Sequence, residues 1–217
     1  MQLTTQLNLL LDHIDSTVEP IRKMFAQYSC AAMLVETKFK MLDEQFSAKY
    51  DENPIVSIST RIKTPDSIMR KLERKGFPYS LDSIRRNLHD IAGVRIVCSF
   101  IEDIFVLADY LLSQEDIQLV EKKDYISNPK PNGYRSLHLI IRVPVYTDSD
   151  KQMVDVEVQL RTIAMDCWAN LEHKVRYNKN LPQSKLDMLS VELKECADMS
   201  AELDRRMQSV RQRMAAQ

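Results

Sequence analysis

Three glycines in 217 residues is a very low number, so each is expected where the backbone needs a conformation or a close approach that other residues resist. There is one tryptophan, and no apolar run approaches the length of a membrane span. The first residues carry no basic region, apolar stretch and small-residue cleavage site in the order of a secretory signal, so a cytoplasmic protein is expected. The four cysteines, Cys30, Cys98, Cys167 and Cys196, are scattered without a C-x-x-C pair. That spacing argues against a zinc site or disulfide framework and for reduced, partly buried thiols. Nor is there an excess of charge. The net value of −1 by itself argues against a general binder of nucleic acid.

What charge there is has been concentrated. From Arg61 to Lys75, six basic residues stand against two acidic ones. A local positive cluster in a near-neutral chain suits a compact polyanion such as a nucleotide. The same segment spells a helix: Thr64 as cap, Pro65 in the first position, Asp66 at the amino-terminal dipole and Gly76 as the stop. Ser67, Lys71 and Arg74 then form one polar stripe, with Ile68 and Leu72 facing inward.

Each glycine neighbours a group of chemical interest. Gly76 follows the basic stripe, Gly93 lies in D-x-x-G-x-R, and Gly133 belongs to K-P-N-G-Y-R-S-L-H-L, residues 130–139. In the last of these, Pro129 and Pro131 stiffen the entry and Asn132-Gly133 suit a tight reversal. Lys130, Tyr134 and Arg135 sit where a planar base and its phosphates can be held.

Length and composition fit one sizeable domain with helical extensions. Residues 1 to about 50 read as helix, with Leu7, Leu11, Ile14, Val18, Ile21, Phe25 and Tyr28 at steps of three and four. Pro20 is expected to break it or open a second helix carrying Val35, Phe39, Leu42 and Phe46. Strands are expected at about 92–99, 117–125, 136–144 and 152–160. Helices are expected at about 102–113, from Arg161 to about Tyr177, and from Leu186 onward. The last has a seam of Leu186, Leu189, Leu193, Cys196, Leu203, Met207, Val210 and Met214, interrupted by Ser200, that packs on the body or on another helix.

Parity sorts the strand residues into faces. Val154, Val156, Val158 and Leu160 pack, leaving Asp155, Glu157 and Gln159 opposite. Leu137, Leu139, Ile141 and Val143 pack, leaving Ser136, His138 and Arg142. Val94, Ile96, Cys98 and Phe100 pack, leaving Arg95, with Asp90 just upstream. Either a solvated sheet face or a site yields this alternation.

Taken together, R-I-K-T-P-D-S-I-M-R-K-L-E-R, H-D-I-A-G-V-R-I-V, K-P-N-G-Y-R-S-L-H, E-V-Q-L-R-T and W-A-N-L-E-H resemble the synthetase domain of the RelA/SpoT family over about residues 55–180. The flanking helices resemble its short members, the small alarmone synthetases. This resemblance implies an α+β fold, a nucleotidyltransferase-like mixed sheet flanked by helices. It divides the chain into an N-terminal helical extension (1–52), a synthetase domain (53–180) and a C-terminal helix (181–217).

The implied reaction moves the β,γ-diphosphate of ATP to the 3′-hydroxyl of GDP or GTP, yielding ppGpp or pppGpp and AMP. By resemblance Arg61 and Arg95 sandwich adenine, and Lys63, Ser67, Lys71 and Arg74 hold the ATP phosphates. Asp90 and Glu157 bind Mg2+, and Glu157 also takes the proton of the attacking hydroxyl. Tyr134 stacks on guanine, Lys130 and His138 contact the acceptor phosphates, and Gln159 supports that site. A homotetramer is implied, with RNA as a possible regulator and no membrane.

Two other readings stay open. One is a toxin-like enzyme that pyrophosphorylates the 3′ end of tRNA, served by Lys122, Lys123 and the C-terminal arginines. The other is a catalytically silent nucleotide- or RNA-binding module. A metal hydrolase built on His89-Asp90 lacks a convincing set of further ligands among His13, His138 and His173.

Overall fold

In the computed structural model the described residues are 2–50, 53–147, 150–176 and 182–215, and of residues 2–17, 50, 183 and 215 only the backbone is described. The elements run α1 (Gln2–Tyr50), β1 (Ile55–Ile62), α2 (Pro65–Lys75), α3 (Leu81–Asn87), β2 (Ala92–Cys98), α4 (Ile101–Leu112), β3 (Gln118–Asp124), β4 (Leu137–Tyr146), β5 (Lys151–Thr162), α5 (Ile163–Arg176) and α6 (Gln183–Ala215).

One mixed sheet has the order β1-β2-β5-β4-β3. Only the central pair, β2 with β5, is parallel; β1 on β2, β4 on β5 and β3 on β4 are antiparallel. The expected α+β class is therefore realised, with the two strands that carry Arg95 and Glu157 side by side at its centre.

Alternation makes one face of the sheet the core. Val94, Ile96, Cys98, Leu137, Leu139, Ile141, Val143, Val154, Val156, Val158 and Leu160 are all buried in one cluster with α1 and α4. Phe100 is the exception to the expected set. It lies beyond the end of β2 as the N-cap of α4, with the Arg211 guanidinium 4.8 Å from its ring centre. Ser136 is fully buried and donates to the Leu160 carbonyl at 3.1 Å, so it belongs to the interior and not to an open face.

Helix α1 is continuous through Pro20 over 49 residues, where a break was expected. A proline removes one backbone donor; the buried stripe Met24, Tyr28, Ala31, Val35, Phe39 and Leu42 fixes the helix downstream regardless. That stripe shares its core with the sheet, so a boundary at residue 52 separates segments packed together. Val18 and Ile21 face solvent, 43% and 40% exposed, because α1 has left the body by that point. Leu7, Leu11 and Ile14 lie outside the residues whose side chains are described.

Helix α2 has the expected signals. The Thr64 side chain accepts from the Ser67 amide, Pro65 opens the helix, and Gly76 closes it at φ 68°. Strand β1 and helix α3 were not expected. β1 (I-V-S-I-S-T-R-I) is an edge strand with little burial, and α3 is a short turn of helix capped by Ser80.

Helix α6 is rotated from the expected seam. Ala197, Ala201 and Asp204 are buried, whereas Leu203, Met207, Val210 and Met214 are 43–73% exposed. Small residues win the inner face because the helix lies close to the turn at Gly133 and to Trp168. Thr162 donates to Asp204 at 2.8 Å, which pairs the one carboxylate this face buries. Trp168 is the anchor of this contact, its indole N–H donating to the Leu193 carbonyl at 2.6 Å. Of the cysteines only Cys98 is buried; Cys30, Cys167 and Cys196 are exposed, and all four are free.

Candidate active site

The opposite face of the sheet is where the polar side chains gather. Glu157 and Gln159 project from β5 beside Gly93 and Arg95 of β2, their register partners. With Thr60 and Arg61 of edge strand β1 they line a cleft of about 190 Å³. Arg61 pairs in register with Gly93 and lays its side chain over it. The absent Cβ is what lets the guanidinium pass. Arg95 Nη1 lies 3.4 Å from Asp166 Oδ1, and its half-buried position, reinforced by the nearby Arg161 charge, lowers its pKa.

Glu157 joins this cleft to a second group. One carboxylate oxygen lies 3.5 Å from Arg61 and accepts from Gln159 Nε2 at 2.9 Å. The other lies 3.5 Å from His138 Nδ1 on β4. Burial pushes the carboxyl up, but the hydrogen bond and charge of His138, with Gln159, outweigh burial and the repulsion from Asp90, leaving its pKa below the usual glutamate value. Glu157 is thus an anion at neutral pH.

Asp90 stands just before β2. Lys63 and Lys71 both donate to its Oδ2, at 2.5 and 2.7 Å. Burial again opposes ionisation, and the two ammonium groups overcome it, so the pKa lies below the ordinary aspartate value. Burial is the larger effect on Lys63, whose own pKa is lowered. The other oxygen, Asp90 Oδ1, is buried without a hydrogen-bond partner among the described residues.

An unpaired carboxylate oxygen within electrostatic reach of a second carboxylate fits a hard divalent cation. No group of three or more His, Cys, Asp or Glu among the described residues is arranged to hold a metal by protein ligands alone. Magnesium suits this donor set, because it takes one or two carboxylates and completes its shell with phosphate oxygens and water.

The tyrosine turn builds the third part. Gly133 has φ 90° and its amide donates to the Lys130 carbonyl at 2.8 Å. Tyr134 is half-buried. Its hydroxyl meets His138 Nε2 at 2.7 Å and accepts from Arg161 Nη2 at 2.6 Å. The ring lies edge-on to Tyr125 and His138, and the Lys130 ammonium sits 4.8 Å from its centre. Lys130, Tyr134 and His138, from one stretch of the chain, are thereby brought together with Gln159 of β5.

Arg135 is turned elsewhere. It donates to the Ala197 carbonyl at 3.0 Å and ties the turn to α6. Ser67 binds Thr64 at 2.9 Å, and Arg74 is exposed on α2; of the expected stripe, only Lys71 reaches Asp90. His89, proposed neighbour of a hydrolase metal, instead bonds Asp155 at 2.7 Å.

Arg161 was missed from the sequence although its parity marked it, following Asp155, Glu157 and Gln159 at steps of two. It is 5% exposed and donates to Tyr134, to Gln159 at 3.0 Å and to Asp166 at 3.1 Å. Tyr125 and Asp166, which lie outside regular alternation, gave no comparable signal.

Comparison with known proteins agrees with this geometry. Residues 60–181 match the family model described as the region found in RelA / SpoT proteins. The chain is 41% identical over 203 residues to GTP pyrophosphokinase YwaC of Bacillus subtilis, covering 93% of this chain and 95% of that protein. It is 33% identical over 191 residues to GTP pyrophosphokinase YjbM of the same organism, covering 87% of each. The crystal structure of small alarmone synthetase 1 from Bacillus subtilis bound to its product pppGpp superposes with a TM-score of 0.80 at 32% identity, over 90% of this chain and 98% of that one. The chain belongs to the RelA/SpoT family, among its single-domain small alarmone synthetases.

Proposed function

We propose that this protein is a GTP diphosphokinase that transfers the β,γ-diphosphate of ATP to the 3′-hydroxyl of GDP or GTP, releasing AMP. The observation that carries the reading is the position of Glu157, an anion touching the Arg61 side of one cleft and the His138 side of a neighbouring cluster. A carboxylate between two nucleotide-sized sites is suited to accept the proton of a hydroxyl presented from one toward a phosphate held in the other.

Arg61 and Arg95 present planar guanidinium groups on adjacent strands, the arrangement required to hold a purine by stacking. Lys63 and Lys71 are within reach of the phosphates that would accompany a cation at Asp90, with Ser67 and Arg74 further along the same helix. Tyr134, fixed by Arg161 and His138, offers a ring for guanine, and Lys130 supplies positive charge beside it. Gln159 braces both Glu157 and Arg161. Magnesium bound at Asp90 and Glu157 would neutralise charge on the transferred group, the main requirement of phosphoryl chemistry.

Incubation with ATP, magnesium and GDP, GTP or deacylated tRNA, with products identified by mass, tests the assignment. AMP with ppGpp or pppGpp is expected. Modified tRNA would move the acceptor, and nucleotide binding without AMP would make the site a sensor.

No helix among the described residues is long and apolar enough to cross a membrane, in keeping with action in the cytoplasm. The exposed stripe of Leu203, Met207, Val210 and Met214 on α6 supports self-association, which we propose reaches a homotetramer. Light scattering that gives only monomer would refute it.

A further inference from the structure

A second cavity, of about 280 Å³, opens at the start of β5 and shares no lining residue with the cleft above. Its wall carries Gln27 and Tyr28 of α1, Arg85 of α3, Arg142 of β4, and Gln152 and Asp155 of β5. Among the described residues Asp155 is the only acidic group on that wall, and it is fully engaged. Arg142 donates to it from Nε at 2.6 Å and Nη2 at 3.2 Å, and His89 meets it at 2.7 Å.

Two other donors on the wall, by contrast, lack partners among the described residues. Gln27 is 5% exposed, and its Nε2 is buried with no hydrogen-bond partner among the described residues. Natural interiors leave few donors in this state. Arg85 is exposed and forms no ion pair among the described residues. Burial, assisted by the Asp155 charge and opposed by Arg85, pushes the Tyr28 phenol up to about 12, which keeps its proton available for donation. With the lone carboxylate neutralised, this wall offers donors and one free positive charge. A ligand must therefore bring oxygens and negative charge.

We propose that this cavity is a second binding site for a small oxyanion, a phosphate or carboxylate group held by Gln27 Nε2, the Tyr28 hydroxyl and Arg85. Its floor leads to the catalytic face. Asp155 lies two residues before Glu157 on β5, and its other partner, His89, immediately precedes Asp90. An anion beside Arg142 competes with Asp155 for that guanidinium, so occupancy alters the hold on the segment bearing each carboxylate. The coupling rests on the function proposed above; the binding does not.

Calorimetry on the full chain, with inorganic phosphate and separately with malonate at constant ionic strength, tests the site. One saturable event is expected, retained by Lys71→Ala and weakened about tenfold by Arg85→Ala and by Gln27→Leu. The preferred anion identifies the source as phosphate or carboxylate. Because it removes an unpaired donor at similar volume, Gln27→Leu should fold at least as stably as the parent. Heat that does not saturate, or binding lost in Lys71→Ala but kept in Arg85→Ala, overturns the proposal. For the coupling, a saturating anion should shift the KM for ATP at least about twofold in the parent and not in Arg85→Ala; no shift overturns it. Phosphate binding by protein that makes no alarmone would count against the reaction and leave the site standing.

Discussion

Arg61 reaches Glu157 by crossing Gly93, with 3.5 Å between Nη2 and Oε2. A Cβ at position 93 would stand 3.2 Å from Arg61 Nε and 3.3 Å from its Cγ, so the glycine sets how closely the guanidinium lies on the sheet. Gly93→Ala needs only a small shift of a flexible side chain, and near-parental kinetics are expected. Gly93→Val needs a larger one. It should raise the KM for ATP about tenfold, the scale of one charge-assisted contact, with less effect on the KM for GDP. Steady-state kinetics varying each substrate in turn would check the split.

Glu157→Gln keeps the shape of the side chain and removes its charge. Turnover should fall more than about 100-fold, in line with general-base contributions, while the fold is retained with a modestly lower melting temperature. Near-normal alarmone production would remove Glu157 from the chemistry.

Arg161 acts through Tyr134 and Gln159. Arg161→Met removes one donor from Asp166, which keeps Arg95 and Asn170, and one from the tyrosine hydroxyl, which keeps His138, and should cost about 2 kcal/mol by chemical denaturation. Arg161→Lys keeps the charge and loses the fork that serves three partners. It should raise the KM for the guanine nucleotide several-fold and leave the KM for ATP nearly unchanged. A purely structural arginine would not produce that asymmetry.

Gly133 combines a positive φ of 90° with a position where an added Cβ would lie 2.4 Å from the Ala197 Cβ. Gly133→Ala should therefore destabilise by about 2–3 kcal/mol through backbone strain and overpacking together. Adding Ala197→Gly should recover the packing part and not the strain. Full recovery in the double variant would show that strain contributes nothing.

Both acids titrate low, which sets a pH expectation. A depressed folded-state value means that each carboxylate favours the folded form above its unfolded pKa, and that this contribution fades as pH falls through the folded value. The loss should come below the ordinary carboxylate range. Lys63→Met removes one of the bonds holding Asp90 ionised and should move its titration upward. Carboxyl NMR titration of parent and variant would measure the difference.

Much of this was legible because strand parity is a strict rule. The faces of β2, β4 and β5 followed from alternation alone, and with them Arg95, His138, Glu157 and Gln159. The α2 caps were equally readable, since each residue there has one local reason to occur. What resisted reading was long-range choice. Nothing local tells α6 to bury Ala197 and Ala201 and leave Leu203 and Met207 outside; the proximity of the Gly133 turn decides that. The identical seam could have faced inward. Arg135 illustrates the same point, since adjacency to Tyr134 suggested a shared target while α6 offered it a carbonyl and an acid.

The twin lysine grip on Asp90 has a consequence for salt dependence. The two ammonium groups expected at the ATP phosphates share one carboxylate, so half of their charge is already balanced and an arriving polyanion partly exchanges one anionic partner for another, with the cation taking over the released carboxylate. Counterions clustered around Lys63 and Lys71 are correspondingly few in the empty protein. Nucleotide affinity should then decline with rising ionic strength less steeply than six cations between Arg61 and Lys75 would suggest.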